Sequence, residues 1–409
     1  MYEQIRASMF GKKLKKKWVD EFKEIDYVPL GMIDEIENYM YNKDEFTNSD
    51  DLVGFEIDKD NIFNCMIIAS SGYGKNRLTK PMVNSFRKAG YKIIVFDAKS
   101  HEFLSANKRG SGRRLHPKQK NESMKVVGYV PSYVESELDE FSRDKFKIYS
   151  HNVSNFRTRE SWSSLGMSSR SADWCVGQIE DGVSDINVLA MRLNADESLM
   201  GITKKSGQSA IESMIGTNFF NPHRRELDIK KHWDRDEVIS ISYFSKSGNL
   251  METDVGQIIQ QVKEIGANEL KKGPEYVTPK LMVFDDAFYY LNSKTTKVGE
   301  TNLAVQGALN IANNYRSFGM NMIIEVQNAS LIDFRIIESS THLIIGKVRN
   351  ASSLRDLVPR NVFEILNSSG RENEPPPLKS DQRAFIREFI LQQDDDYQRF
   401  YPFDCNVGH

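Results

Sequence analysis

A chain of 409 residues is long enough for one large α/β domain or two moderate ones, and an apolar share of 39% is ordinary for a folded protein. The balance of 55 basic against 57 acidic residues leaves a formal net charge of −2, which excludes a global field drawing the chain onto nucleic acid; such a contact would come from local patches or oligomer geometry. Three widely spaced cysteines, Cys65, Cys175 and Cys405, form neither a disulfide framework nor a metal knuckle and read as intracellular, and no apolar run approaches the roughly 18 residues of a membrane span.

In chain order, residues 1–50 read as a helical accessory region. Lys12, Lys13, Lys15, Lys16 and Lys17 precede Trp18, Phe22 and Ile25 at near-helical spacing, which suits a solvated helix face or a basic contact surface. Val53–Ile57 and Asn64–Ala69 read as strands. A glycine-containing loop follows the second of these, then helix-compatible residues from Arg77 to Lys88, a C-cap at Gly90 and another apolar strand, Tyr91–Phe96, ended by Asp97. Continuous apolar strands separated by a helix indicate a mostly parallel sheet covered on both faces.

Asn107–Asn121 is a basic loop with Lys108, Arg109, Arg113, Arg114, Lys118 and Lys120, suited to a phosphate backbone or to plain solvation. Lys125–Val130 is a strand. Residues 135–235 lose strand character, with helices expected around Ser171–Ile179, Asp185–Leu193 and Ser206–Met214; the length is too great for a bare loop and implies a helical insertion or subdomain. Strands resume at Val238–Tyr243, Leu281–Phe284, Met322–Val326 and Thr341–Gly346, with helices over Thr253–Ile265 and Asn302–Tyr315. The core is thus expected over residues 51–134 and 236–362, and residues 363–409 as a proline linker, a helix over Gln382–Leu391 and an acidic tail.

The loop reads Ala69-Ser70-Ser71-Gly72-Tyr73-Gly74-Lys75-Asn76. A phosphate-binding loop needs glycines where backbone amides turn toward anionic oxygens, a lysine for the outer phosphates and a hydroxyl for magnesium. Ser71, Gly72, Tyr73, Gly74, Lys75 and Asn76 are the candidate nucleotide contacts. Ala69 replaces the first glycine and Asn76 the hydroxyl, so Asn76 would offer magnesium an amide oxygen. The helix after the loop directs its positive end at the phosphates. Asp285 leaves the end of an apolar strand, where parallel α/β folds place ligands, and is the second candidate magnesium ligand. Asp286 beside it is the candidate base, and Gln327 at the next strand's tip the candidate phosphate sensor. Arg316 is either a surface residue or a guanidinium supplied to a neighbouring subunit's nucleotide.

Taken in order, the loop Ala69–Asn76, the strand end Asp97-Ala98-Lys99, Leu281–Asp286 and the stretch from Arg316-Ser317-Phe318-Gly319 to Gln327-Asn328-Ala329-Ser330-Leu331 resemble the FtsK and HerA superfamily of P-loop ATPases. That resemblance implies a RecA-like, mostly parallel P-loop core, ATP and Mg2+ as cofactors, and a homo-oligomeric ring, commonly a hexamer, that drives double-stranded DNA through its channel. A cytoplasmic or virion-associated setting, in viral DNA packaging or conjugation, would follow. The family's second acidic position is normally glutamate, and Asp286 is shorter. Two readings therefore stand: an ATP-driven DNA translocase, or a catalytically degenerate relative that binds nucleotide or serves as a structural subunit. A small-molecule kinase finds less support, because no lid or substrate-binding signature follows the central strands.

Overall fold

The structure, a computed structural model, describes residues 27–32, 52–57, 63–99, 102–112, 115, 119–199, 201–244, 248–292, 302–368, 380–381, 386–393, 396–402 and 404–408. The chain forms a mixed α/β fold around a large sheet. Its strands are β1 (Tyr27–Met32), β2 (Leu52–Glu56), β3 (Asn64–Ile68), β4 (Lys92–Asp97), β5 (Val126–Pro131), β6 (Phe146–Tyr149), β7 (Val238–Ser242), β8 (Lys280–Asp285), β9 (Met320–Val326) and β10 (His342–Ile345). Towards the C-terminus come the short strands β11 (Ser380–Asp381) and β12 (Ile386–Arg387), then β13 (Phe389–Gln393) and β14 (Asp396–Pro402).

Twelve of these make one sheet in the order β2-β1-β14-β13-β10-β3-β9-β8-β4-β7-β5-β6. From β10 to β6 every neighbouring pair is parallel. The remaining pairs, β13 on β10, β14 on β13, β1 on β14 and β2 on β1, are antiparallel. The central strands are buried on both faces, which is why they consist of nearly unbroken Ile, Val, Met and Phe.

The longer helices are α1 (Lys75–Lys88), α2 (Ser169–Glu180), α3 (Ile186–Ala195), α4 (Gly201–Gly216), α5 (Asn249–Leu270), α6 (Leu303–Asn313) and α7 (Arg360–Asn367). Leu78, Met82, Val83 and Phe86 of α1 pack on one sheet face with Ile67, Ile93, Val95, Leu281, Val283 and Ile323. Met251, Val255, Ile258 and Val262 of α5 and Ala304, Ala308 and Ile311 of α6 cover the other, against Ile94, Phe96, Met282, Phe284, Met322 and Ile324. These two sets alternate along each strand, as the two-residue pleat requires. Helices α2 to α4 enclose a third apolar cluster with Trp162 at its centre, the indole Nε1 donating to Phe156 O at 2.7 Å.

Several expectations change. Within the region read as helical over 1–50, residues 27–32 form a strand, and all the rest, with its lysine cluster, lies outside the described residues. Of the helix expected over Gln382–Leu391, residues 382–385 lie outside the described residues and Ile386–Arg387 is a short strand. Phe389–Gln393 is a strand whose Ile345↔Ile390 register ties it to β10, and β14 returns beside it, so Asp396 opens a strand instead of closing a tail. Long-range pairing has overridden local spacing there. The stretch 135–235 contains β6 among its helices. Pro375–Pro377, Arg113, Arg114 and Lys118 lie outside the described residues; Arg109 in the basic loop donates from Nε to Asn121 O at 2.9 Å.

Candidate functional site

The carboxyl ends of β3, β9, β8 and β4 converge at the loop between β3 and α1. Ala69 N donates to Val326 O at 3.1 Å and Ser70 N to Lys347 O at 2.9 Å, so the loop leaves the sheet stitched to the ends of its neighbours. Gly72 and Gly74 have φ of 74° and 100°, a left-handed conformation that glycine adopts without a Cβ clash. Space above Gly72 is open: a Cβ built there meets nothing within 4 Å. Gly74 caps α1 with no side-chain hydrogen bond, and no acidic residue stands in the first turn. The leading N–H groups of α1 therefore form an anion cradle at the helix's positive end.

Lys75 opens α1, is buried to 8% exposure and turns back so that Nζ donates to Ala69 O at 3.1 Å. Asn76 Nδ2 donates to Glu102 Oε2 at 2.5 Å and lies 3.4 Å from Asp285 Oδ2. The loop and the acidic strand end thus meet through Asn76. An amide rotated by half a turn would present its oxygen in the same place, so Asn76, Asp285 and Glu102 form an oxygen-rich set that fits a hard divalent cation.

The strand register extends this set. Asp97 pairs with Asp285 across β4 and β8, while Phe284 pairs with Ile324 across β8 and β9, which sets Glu325 level with Asp285. Because Val95, Val283 and Ile323 all face α1, the two-residue pleat turns Asp97, Asp285 and Glu325 to that same side. Their exposures are 0%, 3% and 0%. Burial, then the Asp286 carboxylate beside it, pushes the Asp285 carboxyl up to about 7. Burial, then Asp285, holds Glu325 well above the usual carboxylate range. The Thr79 hydroxyl on α1 faces the Glu325 carboxyl and pulls the other way.

Asp286 adopts a left-handed conformation, φ 45° and ψ 48°, which turns the chain out of β8 into a tight 3-10 turn at Ala287–Tyr289. Its carboxylate is engaged on both sides. Lys99 Nζ lies 2.8 Å from Oδ2, and Gln327 Nε2 donates to Oδ1 at 2.9 Å. The Lys99 ammonium also stands 5.6 Å from the ring centroids of both Phe288 and Tyr289. Tyr290 OH donates to Phe96 O at 2.9 Å and Asp285 O at 2.7 Å, fixing the ends of β4 and β8 together.

The structure therefore brings Lys75, Asn76, Asp285, Asp286 and Gln327 together, with Ser71 and Gly72 exposed on the loop. Tyr73 is the exception within the loop, since its ring is buried away from the open side. Arg316 is not part of this cluster. It is exposed in the 3-10 turn Arg316–Phe318, before the first residue of β9, whereas Gln327 follows the last; seven strand residues, about 20 Å, separate the two ends.

No family model and no curated protein matches the chain. Among solved structures, VirB4 of Thermoanaerobacter pseudethanolicus superposes with a TM-score of 0.54 at 11% identity, over 86% of this chain and 93% of that one. The two share a fold. Further matches are the bacterial conjugative coupling protein TrwBdeltaN70, with a TM-score of 0.48 at 10% identity over 84% of this chain and 86% of that one, and the genome packaging NTPase B204 from Sulfolobus turreted icosahedral virus 2, with a TM-score of 0.37 at 9% identity over 84% and 98%.

Three further residues of the cluster are not among the candidate site residues read from the sequence. Glu102 opens the 3-10 turn Glu102–Asn107 after β4, and Lys99 enters the sequence pattern only as the last residue of the strand end Asp97-Ala98-Lys99, with no role assigned to it. Glu325 was the most legible of the three, as a lone acid inside an apolar strand. Only the strand order, which sets β9 between β3 and β8, makes its position informative.

Proposed function

We propose that this chain binds ATP with Mg2+ at the loop Ala69–Asn76 and couples its hydrolysis to the movement of double-stranded DNA, as a subunit of a homo-oligomeric ring. The observation that carries the nucleotide reading is the meeting of Asn76 with Asp285 at 3.4 Å, beside a retracted Lys75 and an uncapped helix end. DNA as the track, and a ring of about six subunits, rest on the motif resemblance.

When bound, Mg-ATP supplies an electrophilic terminal phosphorus and a good leaving group. The first-turn N–H groups of α1 receive the phosphates. Lys75 exchanges Ala69 O for a phosphate oxygen, gaining a charge-assisted bond. Asn76 and Asp285 hold the metal, with Glu102 behind the asparagine. Asp286 orients the attacking water and takes its proton, and Gln327 reports the outer phosphate to β9. Arg316, at the amino end of β9 and so at the opposite end of the strands from the loop, serves only a neighbour's nucleotide.

One observation favours the second reading, a nucleotide-binding subunit without turnover: Asp286 is neutralised by Lys99 and held by Gln327. Calorimetric titration with Mg-ATP tests the binding step common to both. Lys75→Ala is expected to weaken affinity by about tenfold to a hundredfold, as loss of a charge-assisted phosphate contact implies. Equal affinity of variant and parent removes the loop from the site.

A further inference from the structure

Tyr73 departs from what a phosphate loop asks of its middle position. The loop turns at Gly72 and again at Gly74, and the residue between them points into the protein: Tyr73 is 6% exposed. Its OH donates to Glu388 O at 2.8 Å, and its ring meets the edge of Phe389 with centroids 5.1 Å apart. Gly346, just past β10, is the floor of this slot; a Cβ there would lie 2.5 Å from the Tyr73 ring, so only glycine admits the side chain. The slot's outer wall is braced in turn. Glu388, 5% exposed, pairs with Arg399 of β14, whose Nε lies 2.8 Å from Oε1, and Phe389 stacks on Phe400.

We propose that Tyr73 is a positioning residue that couples the phosphate loop to the C-terminal β13–β14 hairpin, so that the hairpin sets nucleotide affinity. The physical reason is entropic. A loop segment flanked by two glycines samples many conformations, and ordering it on ligand entry weakens binding by the fraction of time it is competent. Anchoring its one large side chain at a fixed point removes that freedom beforehand. The bond from Tyr73 N to Ser70 O, at 3.1 Å, closes the turn, while the hairpin fixes where the turn sits. No atom of the hairpin needs to touch nucleotide for this. The proposal rests on the nucleotide reading for its ligand, whereas the mechanical coupling stands on the contacts themselves.

The test uses the full chain, with Mg-ATP as probe. Three variants are compared: Tyr73→Phe, which keeps the ring and loses the bond to Glu388; Tyr73→Ala, which empties the slot; and Arg399→Gln, which loosens Glu388 from a distance. Calorimetry is expected to give about fivefold weaker binding for Tyr73→Phe, from one lost hydrogen bond, and at least twentyfold for Tyr73→Ala. Arg399→Gln takes the guanidinium away from the buried Glu388 carboxylate and is expected to lower the melting midpoint; read well below that midpoint, it is also expected to weaken affinity severalfold in the same direction and to quicken exchange over 70–76, which a loss of stability confined to the hairpin would not produce. Hydrogen exchange read without nucleotide is expected to quicken over both 70–76 and 389–393 in Tyr73→Phe. Parent affinity in both Tyr73→Phe and Arg399→Gln, with unchanged exchange over the loop, overturns the proposal. If the parent fails to bind Mg-ATP, the nucleotide reading falls; the exchange data then decide the coupling, since unchanged exchange refutes it and joint quickening upholds it.

Discussion

Asp286 illustrates how one carboxylate can be prepared for chemistry and restrained at once. Its left-handed backbone is a conformation that few side chains tolerate, and it aims the carboxylate between Lys99 and Gln327. Under the proposed function, Asp286→Asn is expected to abolish phosphate release while leaving Mg-ATP binding within about threefold of the parent, because it removes a proton acceptor and keeps the proposed metal ligand Asp285. Unchanged steady-state turnover would remove Asp286 as the base. The neighbouring Asp285 makes a different prediction. A carboxyl raised in the fold from 3.8 to about 7 is protonated in the native state at pH values where the unfolded chain has already lost that proton. Stability without nucleotide is therefore expected to be highest below about pH 4 as far as this group is concerned, and to decline as pH rises through 7, by an amount on the order of a few kcal/mol. Asp285→Asn is expected to flatten that slope in urea-unfolding series measured between pH 5 and 8. If Asp285 holds a metal as proposed, metal affinity would run the other way and strengthen as the proton leaves. A parent slope identical to the variant's would show that Asp285 carries no such shift.

At the scale of elements, the strands that build the site were the legible ones. Asn64–Ile68, Lys92–Asp97, Lys280–Asp285 and Met320–Val326 are apolar runs closed by polar residues, because a parallel strand covered on both faces has little choice of side chain. The C-terminal hairpin was illegible for the same reason turned around. Phe389 and Leu391 pack on the α1 side and Ile390 on the other, so burial of both faces erases the alternation that marks a strand and leaves a pattern a helix could also satisfy. The pairing of β13 with β10, nearly fifty residues away, decides the matter. The slot for Tyr73 was hidden with it. The helices α2 to α4 were expected, and their own apolar cluster suggests a subdomain that melts on its own. Trp162→Ala, at a fully buried ring, is expected to cost about 3–5 kcal/mol and to quicken exchange across Val153–Phe220 while β3, β8 and β9 keep their protection. Uniform loss of protection over the sheet would show one cooperative unit instead.

For the whole molecule, the candidate residues fall at the two opposite ends of the central strands. Lys75, Asn76, Asp285, Asp286 and Gln327 gather at the carboxyl ends, while Arg316 stands at the amino end of β9. Under the proposed function, an arginine that faces away within its own chain would act on the nucleotide of a neighbouring subunit. The order of Lys75, Asn76, Asp285, Asp286 and Gln327 along the chain made their clustering legible in the sequence, whereas the contact of Glu102 and the level placement of Glu325 depend on the fold and strand order. Steady-state phosphate release from Mg-ATP, with and without double-stranded DNA, tests the motor claim most directly. The account predicts measurable turnover that DNA raises severalfold and that Arg316→Ala brings down to the basal rate or below. Tight Mg-ATP binding with no phosphate release, or a rate indifferent to DNA, would contradict it.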